Sequence, residues 1–205
     1  MRSKVVISSA LRIIVYVVVV LGFAFLVFAC YRNYRDTGSL NWFGLFVVNS
    51  LVVAMYIARR DATSISSSPL LWLLAFAGTC LPLVMRPTTP ASSAVAGNLL
   101  QAVGLCAVAA SMLSLRRSFG IVPAHRGIRT QGLYNFVRHP LYASELLAVL
   151  GFVIANPSAW NVSLWLGECL LQFARACAEE RFLSADPVYS QYQARVKYRL
   201  IPRVV

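Results

Sequence analysis

The chain has 205 residues, 59% of them hydrophobic and 13% charged, with a formal net charge of +12 at neutral pH. Ordinary soluble domains run at roughly 45–50% apolar and about 25% charged, so this composition excludes a water-soluble globular enzyme and needs lipid to cover its apolar surface. At this length a single domain, residues 1–205, is expected.

Four apolar stretches come first, at about Ala10 to Tyr31, Leu40 to Ala58, Pro69 to Met85 and Val95 to Leu115. Each is long enough, or nearly so, to cross a hydrocarbon layer of roughly 30 Å, which takes about 17–25 helical residues. The first follows Arg2 and Lys4 but is too long for a signal-peptide core, and Phe28 is too bulky for a lipoprotein cleavage site at Cys30, so it is expected to stay attached. Between the segments, Asp61 to Ser68 is a Ser-rich turn and Arg86 to Ser93 a Pro/Thr/Ser turn, and neither carries a motif. Residues 1–115 therefore form the membrane scaffold.

After Leu115 a basic loop holding both histidines, His125 and His139, leads into a longer apolar stretch, Leu141 to Leu171. Asn156-Pro157-Ser158 interrupts it, and proline disfavours helix in the residue before it, so the stretch is expected to fold as a helical hairpin. The fold class is then all-α, a polytopic bundle of five to six membrane segments. Threaded from a cytoplasmic N-terminus, 16 of the 19 basic residues fall on the cytoplasmic side and only Arg32, Arg35 and Arg86 outside. That asymmetry sets both termini in the cytoplasm. The charge is thus topological, with anionic membrane lipids as a secondary partner and no nucleic acid. The five cysteines are scattered without C-x-x-C spacing, so no metal or disulfide is expected.

Residues 116–205 carry the chemistry. Glu145, Glu168, Glu179 and Glu180 interrupt or border the hairpin arms, and Arg175 lies one turn before Glu179 and able to pair with it. Ionisable groups inside a membrane segment cost a few kcal/mol, which points to function or burial against a partner; the competing reading is a solvated helix end. Arg138 and His139 precede Pro140, a residue suited to a helix's first turn, where free N–H groups favour an anion.

The run from Gly132 through Arg138-His139-Pro140-Leu141-Tyr142 resembles the G-x-Y-x-x-x-R-H-P-x-Y signature of the isoprenylcysteine carboxyl methyltransferase group, which takes in phospholipid methyltransferase relatives. Arg117-Ser118-Phe119-Gly120, the Arg175-x-x-x-Glu179-Glu180 element, the Tyr189-x-x-Tyr192 pair and the ending Arg199-Leu200-Ile201-Pro202 resemble further blocks in the same order, over about residues 115–203. Ser144 stands where many members have glycine, and Ser184-Ala185-Asp186-Pro187 replaces the usual F-G step.

The resemblance implies S-adenosylmethionine bound on the cytoplasmic side by Tyr134, Arg138, His139, Pro140, Tyr142, Tyr189, Tyr192, Arg199 and Pro202. Arg175 and Glu179 would be catalytic, and a lipophilic methyl acceptor would enter from the bilayer. Carboxyl O-methylation of a prenylcysteine is the leading activity. Phospholipid or amine N-methylation, with Glu145, Glu179 or His139 as base, is the first alternative. An NADPH-dependent sterol-type reductase of similar layout is the second, and a non-enzymatic scaffold or small transporter the third.

Overall fold

The computed structural model describes residues 9–66, 68–88 and 95–204; Arg2 and Lys4 of the topology count lie outside them. Helix α1 (Ser9–Thr37) runs beyond the apolar stretch through Arg32–Asp36 and stops at Gly38, whose φ of +66° is one that glycine adopts without strain. Helix α2 (Leu40–Ala58) has the bounds expected from its hydropathy. Strand β1 (Ser64–Ile65) then pairs antiparallel with β2 (Ala124–His125), tying together two loops some sixty residues apart. Helix α3 (Pro69–Cys80) gives way to a 3-10 turn at Leu81–Val84, because Pro82 lacks the N–H that a continuing α-helix needs. Helix α4 (Val95–Leu115) again has the expected bounds.

Helices α5 (Pro140–Ala155) and α6 (Ala159–Leu183) form the hairpin, turning where the Asn156-Pro157-Ser158 break predicts. Ser158 caps α6 by accepting from the Asn161 N–H, and the fully buried Asn161 side chain donates to the carbonyls of Arg86 and Asn156, both at 2.8 Å. The hairpin tip is thereby fixed to the segment after α3. The second arm ends at Leu183 rather than Leu171, carrying Arg175, Glu179 and Glu180 inside the helix, and the short α7 (Pro187–Arg195) follows.

Three helical stretches are long and apolar enough to span a membrane: Ile13–Thr37, Leu40–Ala58 and Val95–Ser118. Pro69–Val84 and Pro140–Ala155 are shorter apolar helices, and α6 is diluted by its charges. Packing neighbours run in the order α1, α2, α4, α5, α6, α3 around a central space. The closest approach is α4 on α5, where the seam is made of small residues. A Cβ on Gly104 would run into the Ala148 backbone, and one on Gly151 into that of Gln101. Such contact between backbones is how helices associate where no hydrophobic drive exists between them. Ser144 belongs to this seam: its hydroxyl donates to the Pro140 carbonyl at 2.7 Å and meets the Ser111 hydroxyl at 3.4 Å.

Candidate active site

All six long helices line one cavity of about 590 Å³, within the range of roughly 300–1,000 Å³ usual for small-molecule sites. At one end it is walled by apolar residues of α1 and α2 such as Phe23, Leu26 and Trp42. At the other it meets the loop after α4, the start of α5, the polar face of α6, and α7.

The polar end is organised by Glu180. Its carboxylate is 6% exposed and accepts from Arg138 Nε at 2.8 Å, His139 Nε2 at 3.1 Å, and Arg199 Nε and Nη2 at 3.1 and 2.9 Å. Sequence adjacency delivers two of these donors from the start of α5. The last stretch of chain delivers the third, held there because the backbone N–H groups of Arg138 and His139 donate to the carbonyls of Tyr198 and Arg199, both at 2.9 Å. Glu180 is therefore the carboxylate that the Arg138 and His139 side chains meet ahead of α5.

Glu179, on the neighbouring position of α6, accepts from the Tyr142 hydroxyl at 2.8 Å. The His139 ring stacks on Tyr142 with centroids 5.4 Å apart, and the Arg175 guanidinium sits over the same tyrosine at 4.7 Å. Arg175 does not pair with Glu179. It turns the other way along α6, donating to Gln172 Oε1 at 2.9 Å and, more weakly, to the Ile121 carbonyl at 3.4 Å. The reason is that the Gln172 amide is already polarised: its Nε2 donates to Glu145 at 2.7 Å and to Glu168 at 2.8 Å, leaving its oxygen as the acceptor nearest the guanidinium. Glu168 and Gln172 are almost wholly buried, and the second oxygen of Glu168 has no partner among the described residues. Two carboxyl groups bridged by one amide, with one guanidinium beside them, leave this cluster short of positive charge or of a proton. It is matched to a ligand bearing either.

Tyr134, Tyr189 and Tyr192 form a buried aromatic group against Val196. The Tyr192 hydroxyl donates to the Tyr134 carbonyl at 2.8 Å, which closes α7 over the loop. Burial raises the pKa of all three phenols above the ordinary value, so they act as neutral donors and ring surfaces. On the outer side of α7, Asp186 caps the helix at the Val188 N–H and pairs with the His125 ring, and those two hydrogen bonds, His125 first, hold its pKa below the usual aspartate value.

Of the residues singled out from sequence, Tyr134, Arg138, His139, Tyr142, Arg175, Glu179, Tyr189 and Tyr192 all line the cavity. Pro140 is buried at the first turn of α5, Arg199 braces Glu180 from outside the cavity, and Pro202 is exposed in the terminal turn. Sequence reasoning passed over Gln172 and understated Glu180. The doubled glutamate was the available signal for Glu180, whereas a lone glutamine on an apolar arm offers none.

Residues 92–191 match a protein-family model described as phospholipid methyltransferase. No curated protein matches the chain. The matched stretch opens just before α4 and closes within α7, so it takes in the α4–α5 seam, the hairpin and most of the polar end of the cavity.

Proposed function

We propose that this chain, whose residues 92–191 belong to the phospholipid methyltransferase family, binds S-adenosylmethionine at the polar, cytoplasmic end of the large cavity and methylates a lipophilic acceptor that reaches the cavity from the bilayer. The observation that carries the reading is one continuous cavity joining a charged, tyrosine-lined end to an apolar one. A water-soluble cofactor and a lipid-borne acceptor need that pairing.

The residues present fit the cofactor's chemistry. Its sulfonium and ammonium charges suit Glu179, and its flat base suits the Tyr134 and Tyr189 rings. When bound, the cofactor supplies an electrophilic methyl group for in-line displacement. The protein's own work is alignment and exclusion of water. The Glu180 cluster fixes Arg138, His139 and the terminal segment as one wall, and Tyr142 is held by the His139 ring and the Arg175 guanidinium. His139, with Arg138 and Arg199, serves this reading by shaping the wall around Glu180, while Tyr142 and Glu179 meet the ligand.

For the acceptor, a carboxylate like that of isoprenylcysteine would be gripped by the N–H donors of Arg175 not spent on Gln172 and Ile121, and needs no base. An amine acceptor is favoured by a separate observation, the Glu145–Gln172–Glu168 triad with its unpartnered oxygen, which can hold an ammonium and take its proton.

The test is isothermal titration of the detergent-purified chain with S-adenosylhomocysteine and, in parallel, NADPH. Saturable binding of the first alone supports the reading; binding of NADPH alone replaces it with a reductase. With labelled S-adenosylmethionine, Arg175→Lys abolishes turnover of a carboxylate acceptor while sparing cofactor affinity, and Glu168→Gln does the same for an amine.

A further inference from the structure

A second cavity, of about 290 Å³, lies beside the first at the same basic end, where the loop joining α2 to α3 meets the loop after α4. Its polar wall is Arg59, Arg60 and Arg126, and its apolar wall comes from Tyr16 of α1, Tyr56 of α2 and Phe76 of α3. Nothing in the methyl-transfer reading uses it.

Neither of the two inner arginines makes an ion pair among the described residues. The Arg59 guanidinium lies 3.6 Å from the centre of the Tyr56 ring and 5.7 Å from that of Tyr16, the two rings being stacked at 5.5 Å. It is held by ring faces and by no carboxylate within ion-pair distance among the described residues. Arg126 comes in from the loop after β2, and its Nε is buried with no hydrogen-bond partner among the described residues. Burial first, and then the charge of nearby Arg59, lower the Arg126 pKa to about 10. Asp61 borders the same cavity yet makes no ion pair with either arginine. A buried guanidinium N–H left unmet is costly, and the Arg126 Nε, with the half-buried Arg59 bordering the same cavity, is matched by an anion with several oxygens.

Phosphate is the chemistry that answers this, and the surroundings favour a phosphate carried on a lipid. Helices α1 and α3 are not closely packed on one another, and outward from the cavity α1 presents Ile13, Ile14 and Val17 at its surface. Acyl chains can leave along that face while the headgroup stays at the basic rim.

We propose that the second cavity binds the phosphate of an anionic phospholipid between Arg59 and Arg126, apart from any methyl acceptor. Because Arg126 and Ile121 also border the large cavity, the bound lipid would fix part of that cavity's wall.

The experiment is native mass spectrometry of the full chain released from detergent, offered phosphatidylglycerol, phosphatidylcholine of the same acyl composition, or inorganic phosphate. One phosphatidylglycerol is retained in preference to phosphatidylcholine, and Arg126→Gln or Arg59→Gln weakens retention by about tenfold or more. Arg116→Gln, an equal loss of charge at an exposed site on the same end, leaves retention intact. If the two lipids are held alike, or if Arg116→Gln costs as much as Arg126→Gln, the effect is diffuse charge and the site is refuted. Inorganic phosphate displacing the lipid at equal concentration keeps the anion site but overturns the lipid as its occupant. Should Arg126→Gln fail to fold, Arg59→Gln and the comparison of lipids on the unaltered protein decide the matter.

Discussion

Glu180 shows how a carboxylate can be structural inside a reactive-looking cluster. It takes four hydrogen bonds from Arg138, His139 and Arg199, so neutralising it strips the charge from all of them at once. Glu180→Gln is expected to cost about 1.5–3 kcal/mol, the range for hydrogen bonds to charged groups, read as a lower thermal midpoint together with weaker S-adenosylhomocysteine binding. Asp186 offers a pH-dependent counterpart. Its folded-state pKa lies below the unfolded value, so its stabilisation is present above the ordinary aspartate pKa of about 3.9 and is lost as pH falls through the lower folded value. Asn keeps the cap on α7 but not the charge. Asp186→Asn should therefore lower the midpoint at neutral pH, with the difference shrinking as pH falls below about 3.9 and vanishing below the lower folded-state value. Sequence could name Arg138, His139, Arg175, Glu179 and Glu180 by their order, but not the direction each side chain takes. Arg175 has neighbours three residues back and four ahead on its helix, and only the prior engagement of Gln172 by Glu145 and Glu168 decides between them.

At the level of elements, the bounds of α2 and α4 were legible because charges or turn residues stand directly beyond them. The ends of α1 and α6 were not, because hydropathy reports the membrane while the helix continues through Arg32–Asp36 and through Arg175–Arg181, residues with adequate helix propensity. The break in α3 at Pro82 and the hairpin turn at Pro157 follow the same rule of proline chemistry, yet only the second was anticipated, since the first falls near the end of its apolar run. The α4–α5 seam gives a direct test. Gly104→Val should destabilise the protein by about 1–3 kcal/mol through overpacking, whereas Gly22→Val, with nothing within 4 Å of its new Cβ, should leave thermal unfolding nearly unchanged. Equal effects would mean that the seam is not close-packed.

Across the whole molecule, the charge asymmetry sets an expected orientation that labelling can check. In a cysteine-free background, Ser39→Cys between α1 and α2 should react with an impermeant thiol reagent on intact cells, and Thr63→Cys only after permeabilisation; the reverse pattern would invert the topology. The short β1–β2 ladder has its own consequence for recombination between genes. Strand β1 precedes the stretch matched to the phospholipid methyltransferase family and β2 lies within it, with Arg60 and Thr63 also donating across to Arg117 and His125. A crossover placed at the family boundary would part these partners and inherit them from different parents. One placed inside α2 would carry them together, so chimeras cut there should express and fold more often than chimeras cut near residue 92.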